Sequence, residues 1–373
     1  MPRNARDQCF TREWIERQRV GIKADPILLE KAIYCLELAS QLCMAGLDFL
    51  LKGGTTVYLL LPQIRRLSID VDVATSSSRE QIERVLEAIV TEGLFTGYEE
   101  AIRVGERHER IPKLHYEITF EPRTPQRRGY ILLDVILEEP GYTTQMATIR
   151  APFYEPTQEV QVRIPTANSA LGDKLVALAP DTTGIPFGVN KELPRIKQLY
   201  DVGMLFQEAD DLEEIADAFA RSVEQESRFL RAGYGVDSVV ADLVNLARLT
   251  TMIDLRGARE EARTQEIRRG VNALKSHLIG GRRYNLIPEA KADVALAAFC
   301  AGLIQRVSRG GEVSSLLTKV RTVAEGDPGA LPELVRRARL PEGFDFVQRL
   351  SRQSPKAAVY WCGSFDPALF GDI

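Results

Sequence analysis

Cysteine, histidine and long apolar runs are all scarce in this sequence, and each scarcity removes a class of function. The five cysteines, Cys9, Cys35, Cys43, Cys300 and Cys362, are odd in number, scattered and without a CxxC pair. They read as reduced thiols and not as a disulfide framework. Histidine occurs only at positions 108, 115 and 277, too few for a His/Cys zinc site. No apolar run reaches the roughly 18–20 residues of a membrane span, and the opening MPRNARDQCFTREWIERQRV is polar and mixed in charge, unlike a signal peptide. A cytoplasmic protein without membrane contact is expected. An excess of one charge is missing too. With 48 Lys+Arg against 52 Asp+Glu the net charge is −4, which argues against wholesale capture of nucleic acid but leaves room for a local basic groove. There is no repeat of fixed period and no low-complexity tract.

What is present is an ordinary globular composition, 45% hydrophobic and 27% charged over 373 residues, enough for two or three domains with real cores. A helix is expected near Arg12 to Val20. Asp25-Pro26 reads as an N-cap and first-turn proline, opening an apolar helix from Ile27 to Leu51. Ser76-Ser77-Ser78 caps a helix over about 79–93. From 94 to 150 the pattern turns strand-like, with alternation over 114–120 and 130–137 on either side of a hairpin-like connection. A proline-punctuated segment follows, and then helices over 166–178 and 193–206. Amphipathic helix fills most of the rest to about 350, with breaks near Gly233, Gly280-Gly281, Gly310-Gly311 and Asp327-Pro328-Gly329. The fold class expected is α+β, a mixed sheet flanked by helices over 1–165 and a helical domain over 166–373.

One stretch carries the chemistry: LKGGTTVYLLLPQIRRLSIDVDVA, Leu51 to Ala74. Gly53 and Gly54 precede a short helix, whose free N-terminal N–H groups can receive a phosphate. On the strand that follows, Asp70 and Asp72 share one face while Ile69, Val71 and Val73 take the other. Paired carboxylates repel, and a cation between them removes the repulsion, which suits Mg²⁺ bound to a nucleoside triphosphate. Asp134 interrupts the apolar run 130–137, and a buried acid needs a partner. Joining the first two acids is its simplest arrangement. A lone Asp-x-Asp is often just a solvated face; the glycine turn and Asp134 argue otherwise here. The basic cluster Arg103, Arg107, Arg110, Lys113, Arg123, Arg127 and Arg128 is interleaved with glutamates and reads as a solvated face. His108 and His115 are assigned no chemistry, and Tyr360 and Trp361 are read as packing anchors.

Lys52-Gly53-Gly54-Thr55, Arg66-x-Ser68-x-Asp70-x-Asp72, Asp134, Lys174 and Tyr200-Asp201 together resemble the AbiEii/AbiGii toxin family, which includes the MenT toxins and lies within the DNA polymerase β-like nucleotidyltransferases. The resemblance spans about residues 48–206, and the chain departs from it at Lys197-Gln198, where relatives carry a basic-acidic pair. It implies that Asp70 and Asp72, with Asp134 as the third acid, hold Mg²⁺ (Mn²⁺ as an alternative) and the triphosphate. Gly53, Gly54, Thr55, Arg66 and Ser68 would line the phosphate site, Lys174 would offset phosphate charge, and Asp201 would orient it. The implied activity is growth-blocking nucleotidyl transfer from an NTP to an RNA acceptor, tRNA foremost, with a cognate antitoxin as partner. Transfer to a protein or small molecule, and an inactive nucleotide-binding relative, are the competing readings. The active cleft is expected between the two domains, with Ser68 near its mouth and open to silencing by phosphorylation.

Overall fold

In the computed structural model, residues 3–101, 112–255, 261–311, 314–327 and 329–370 are described. Arg103, Glu106, Arg107, His108, Glu109, Arg110 and Pro328 lie outside them. The chain forms two units: 1–166 with 229–231 and 276–283, and 167–228 with 232–275 and 284–373.

The first unit is built on a mixed seven-stranded sheet, order β3-β4-β5-β2-β1-β7-β6. The strands are β1 (Leu50–Lys52), β2 (Asp70–Ala74), β3 (Phe95–Glu100) and β4 (Lys113–Phe120), then β5 (Gly129–Ile136), β6 (Thr144–Thr148) and β7 (Gln161–Pro165). Its helices are α1 (Arg12–Ile22), α2 (Pro26–Met44), α3 (Gly53–Leu60) and α4 (Arg79–Thr91). The Asp25 carboxylate caps α2, accepting from the N–H groups of Ile27 (2.9 Å) and Leu28 (3.0 Å). Ser78 and Gln81 form a reciprocal capping box on α4. The expected helix to Leu51 is too long. Gly46 takes φ +79°, and the Leu47 N–H bonds back to the Leu42 carbonyl at 3.2 Å. This glycine-terminated ending stops α2 and frees Leu50–Lys52 to become a strand. The proline-punctuated segment likewise hides structure, since β6 and β7 pair antiparallel and β7 pairs with β1 in parallel. Val71, Val73, Ile131, Leu133 and Val135 are buried with Leu29, Ile33 and Leu36 of α2 in one core, which turns the intervening acids to the opposite face.

The second unit is helical: α5 (Ala167–Leu178), α6 (Glu192–Glu208), α7 (Leu212–Phe229), α8 (Val236–Met252) and α9 (Ala262–Leu274). It continues with α10 (Lys291–Ser308), α11 (Ser314–Ala324), α12 (Leu331–Arg337), α13 (Phe346–Leu350) and α14 (Pro355–Phe365). Trp361 and Tyr360 of α14 are buried, and Tyr360 stacks on Phe299 of α10 at 6.1 Å between ring centroids. The α+β expectation, a mixed sheet with flanking helices and a helical C-terminal region, holds. Among the described residues no helix is long and apolar enough to cross a membrane.

Candidate active site

The β1–α3 junction sets the first part of the site. Gly53 opens α3 at φ +69°, and a Cβ there would overlap the Asp72 carboxylate. Only glycine lets this turn lie against the acid. A Cβ on Gly54 would sit 2.6 Å from Ser68 Oγ and 2.7 Å from Arg66 Nη2. Both glycines therefore touch the acidic strand or the loop that leads to it. The Thr55 hydroxyl donates to the Asp70 carbonyl at 2.7 Å, tying α3 to β2. Lys52 supplies no side-chain cap to α3, so the N–H groups of the first turn have neither a capping side chain from that residue nor intrahelical partners.

The acids come together through strand register. Asp72 of β2 is the parallel partner of Asp134 of β5, and Asp70 faces Leu132 on the same side. Lys52 is the antiparallel partner of Asp72 on β1, and His115 is the antiparallel partner of Asp134 on β4. One row across four adjacent strands thus reads His115, Asp134, Asp72, Lys52: two carboxylates between two basic groups. His115 Nδ1 lies 2.8 Å from Asp134 Oδ1, with side-chain exposures of 9% and 25%. Lys31 of α2 places its ammonium 4.1 Å from the Tyr130 ring centroid. Burial pushes Lys31 below its ordinary pKa, an effect opposed by the Asp70 carboxylate.

Arg66 and Ser68 are in the loop before β2, where Arg66 Nη1 donates to the Leu67 carbonyl at 3.1 Å. Ser68 is buried, at 5% exposure. Its N–H donates to the Tyr58 hydroxyl, which in turn donates to the Ser68 carbonyl. In the second unit, Lys174 of α5 and Asp201 of α6 are brought to each other, Nζ to Oδ2 at 3.0 Å, with exposures of 8% and 0%.

The sequence profile described as "Nucleotidyl transferase AbiEii toxin, Type IV TA system" matches residues 44–298. The chain belongs to the AbiEii nucleotidyl transferase toxin family. That membership makes it a nucleotidyltransferase of a type IV toxin–antitoxin context. No curated protein is significantly similar to it in sequence. Among solved structures it is similar to an H. pylori protein assigned as a nucleotidyltransferase, at 12% identity over 81% of this chain and 100% of that one, TM-score 0.40. JHP933 from Helicobacter pylori matches at 11% identity, 81% and 95% coverage and TM-score 0.40. An antigenic nucleotidyltransferase-like protein from Paracoccidioides brasiliensis matches at 17% identity, 56% and 96% coverage and TM-score 0.34.

In this AbiEii-family chain, Gly53, Gly54, Thr55, Arg66, Ser68, Asp70, Asp72 and Asp134 all fall in the first unit, around β1, α3, β2 and β5. Among the described residues no three His, Cys, Asp or Glu side chains are gathered into a metal-binding cluster. The fit of a divalent cation therefore rests on the Asp70/Asp72 pair. Mg²⁺ bound with a nucleotide takes one or two carboxylates, with phosphate and water supplying the rest, and those two hard oxygen donors fit it. Lys52 stands in the Lys52-Gly53-Gly54-Thr55 motif without an assigned role, while His115 and Lys31 were missed from the sequence as site residues. Only His115 left a usable signal there. If the hairpin pairs Phe120 with Gly129, counting back five residues on each strand sets His115 opposite Asp134.

Proposed function

We propose that this protein transfers a nucleoside monophosphate from an NTP, with Mg²⁺, to an RNA hydroxyl. tRNA is the foremost acceptor, and the transfer blocks growth until a cognate antitoxin counters it. The observation that carries the reading is the acid row, Asp72 opposite Asp134 with Asp70 on the same face, laid against a glycine turn at a helix N-terminus. A bound divalent cation would be held by Asp70 and Asp72, with Asp134 as the third acid beside it, and would neutralise triphosphate charge.

The chain's own groups account for the rest. The first-turn N–H groups of α3 receive phosphate oxygens, as helix N-termini do. Arg66 adds positive charge where the triphosphate becomes more negative at the α-phosphate. Asp134 accepts the proton of the acceptor hydroxyl as its oxygen bonds to the α-phosphorus. The bond to the bridging oxygen breaks, and pyrophosphate leaves with that electron pair. Most of this is positioning and charge compensation, as phosphoryl transfer requires. Lys174 and Asp201 are proposed to support transfer as a pair.

The test incubates the protein with each labelled NTP, Mg²⁺ and total cellular RNA. Label should appear on tRNA, and Asp70→Ala, folded by circular dichroism, should lose at least about a thousandfold of it. Label on protein alone would move the reading to a protein acceptor. No label from any NTP, or substantial transfer by Asp70→Ala, would sink it.

A further inference from the structure

Asp134 is held by a side chain that neither the acid row nor the glycine turn calls for. His115 and Asp134 are direct cross-strand partners on β4 and β5, and their side chains meet at 2.8 Å between Nδ1 and Oδ1. A carboxylate is acceptor-only, so the contact is a hydrogen bond only if Nδ1 carries the proton. Asp134 is in turn the direct parallel partner of Asp72. From β4 the imidazole thus fixes the rotamer of one acid, while from β1 the Gly53 turn fixes the space beside the other. We propose that His115 is a positioning residue for nucleotidyl transfer, orienting the Asp134 carboxylate toward the acceptor hydroxyl and the cation site by donating from Nδ1 to Oδ1.

The inference rests on the proposed function and assigns a role to a residue that has none in it. A carboxylate that must accept a proton from one hydroxyl works best in one orientation, and a charge-assisted hydrogen bond supplies that at small entropic cost. Groups that orient metal-site carboxylates and imidazoles in this way typically change affinity or activity by 10–100-fold when removed. The competing explanation is packing: a buried ring on a strand, with Asp134 merely satisfying its N–H.

Two replacements separate these explanations. His115→Asn keeps a donor near the position of Nδ1 but gives up the ring. His115→Phe keeps the ring and gives up the donor. Positioning predicts that His115→Asn stays within a few-fold of wild type, while His115→Phe loses about 10–100-fold in kcat with KM for the NTP changed less than about threefold. Packing predicts the reverse order. A second readout needs no turnover: Mn²⁺ binding followed by electron paramagnetic resonance should weaken about tenfold or more in His115→Phe and stay near wild type in His115→Asn. If His115→Phe does not fold, His115→Met serves as the donor-free variant. Wild-type affinity and turnover in the donor-free variant, equal losses in both variants, or no Mn²⁺ binding by the wild-type protein would overturn the proposal. Mn²⁺ binding without label on any RNA would instead overturn the proposed function and leave the His115 comparison readable from the metal arm.

Discussion

Gly53 shows how narrowly a single residue can determine the site. Its φ of +69° is a conformation in which an L side chain is strained, and the space a Cβ would need is filled by Asp72. Gly53→Ala therefore meets two penalties, roughly 1 kcal/mol for the left-handed backbone and a further cost for moving the carboxylate. The second penalty falls directly on function. Thermal unfolding of Gly53→Ala should show a loss of about 1–3 kcal/mol, and transfer from NTP should drop far more than that, as with Asp70→Ala. Gly54→Ala makes a softer test. Its Cβ would press on the Ser68 hydroxyl and the end of the Arg66 side chain, both of which can shift. Stability near wild type with a raised KM for NTP is expected, since what moves there is proposed to bind phosphate. A Gly53→Ala protein with wild-type transfer would detach the turn from the site altogether.

Between elements, the Lys174–Asp201 pair depends on how α5 and α6 are set. Gly172, one turn of α5 away from Leu175, lets the α7 backbone approach closely, and a Cβ there would be 2.6 Å from the Ile215 carbonyl. Away from that contact, Lys174 and Asp201 are 8% and 0% exposed and meet at 3.0 Å. Removing one partner of such a pair strands a buried charge, at about 3–5 kcal/mol, while removing both often costs little. Lys174→Met should thus be strongly destabilised in urea unfolding, and Lys174→Met/Asp201→Leu should regain most of the loss. If the pair also supports transfer, the double variant will be stable and slow; full activity in it would make the pair purely structural. The sequence made much of this element-level order legible. Asp25, Ser78 and the period-two alternation of 114–120 and 130–137 mark boundaries through their own caps and patterns. Other features were hidden for physical reasons. β6 and β7 are five-residue strands in a proline-rich segment, too short for periodicity to show. The loop at 65–67 is held by the distant segment 276–283: the Leu67 N–H donates to the His277 carbonyl at 2.7 Å and the Ile279 N–H to the Arg65 carbonyl at 3.2 Å. Such a pairing is made of backbone alone, so no side-chain pattern announces it. His115 failed for a third reason, since its meaning lies in hairpin register and not in its neighbours.

For the molecule as a whole, the electrostatic feature that sets a pH dependence is a partly buried acid. Asp293 on α10 is partly buried, Tyr284 donates its hydroxyl to Asp293 Oδ2 at 2.8 Å, and desolvation raises the acid's pKa from 3.8 to about 7. The Tyr284 bond only partly offsets that desolvation. A carboxyl with a raised folded-state pKa stabilises the protein fully below its unfolded value. That contribution fades as pH rises through about 4 to 7 and is gone above, where folding must bury the charge. Glu100 and Glu192 act with the opposite sign, because hydrogen bonds from Arg79 and Arg269 hold their pKa values below 4.5. Their window therefore lies below that of Asp293, and measurements between pH 5 and pH 8 avoid it. Asp242 is raised by burial as well, so the wild-type curve alone would mix two residues. The difference between wild type and Asp293→Asn isolates one. The amide carbonyl can still accept from Tyr284 but cannot ionise, so urea midpoints should converge toward pH 5. By pH 8 Asp293→Asn should be the more stable by up to a few kcal/mol, the difference levelling off above about pH 7. A difference that does not change between pH 5 and pH 8 would show that Asp293 folds with its charge already compensated.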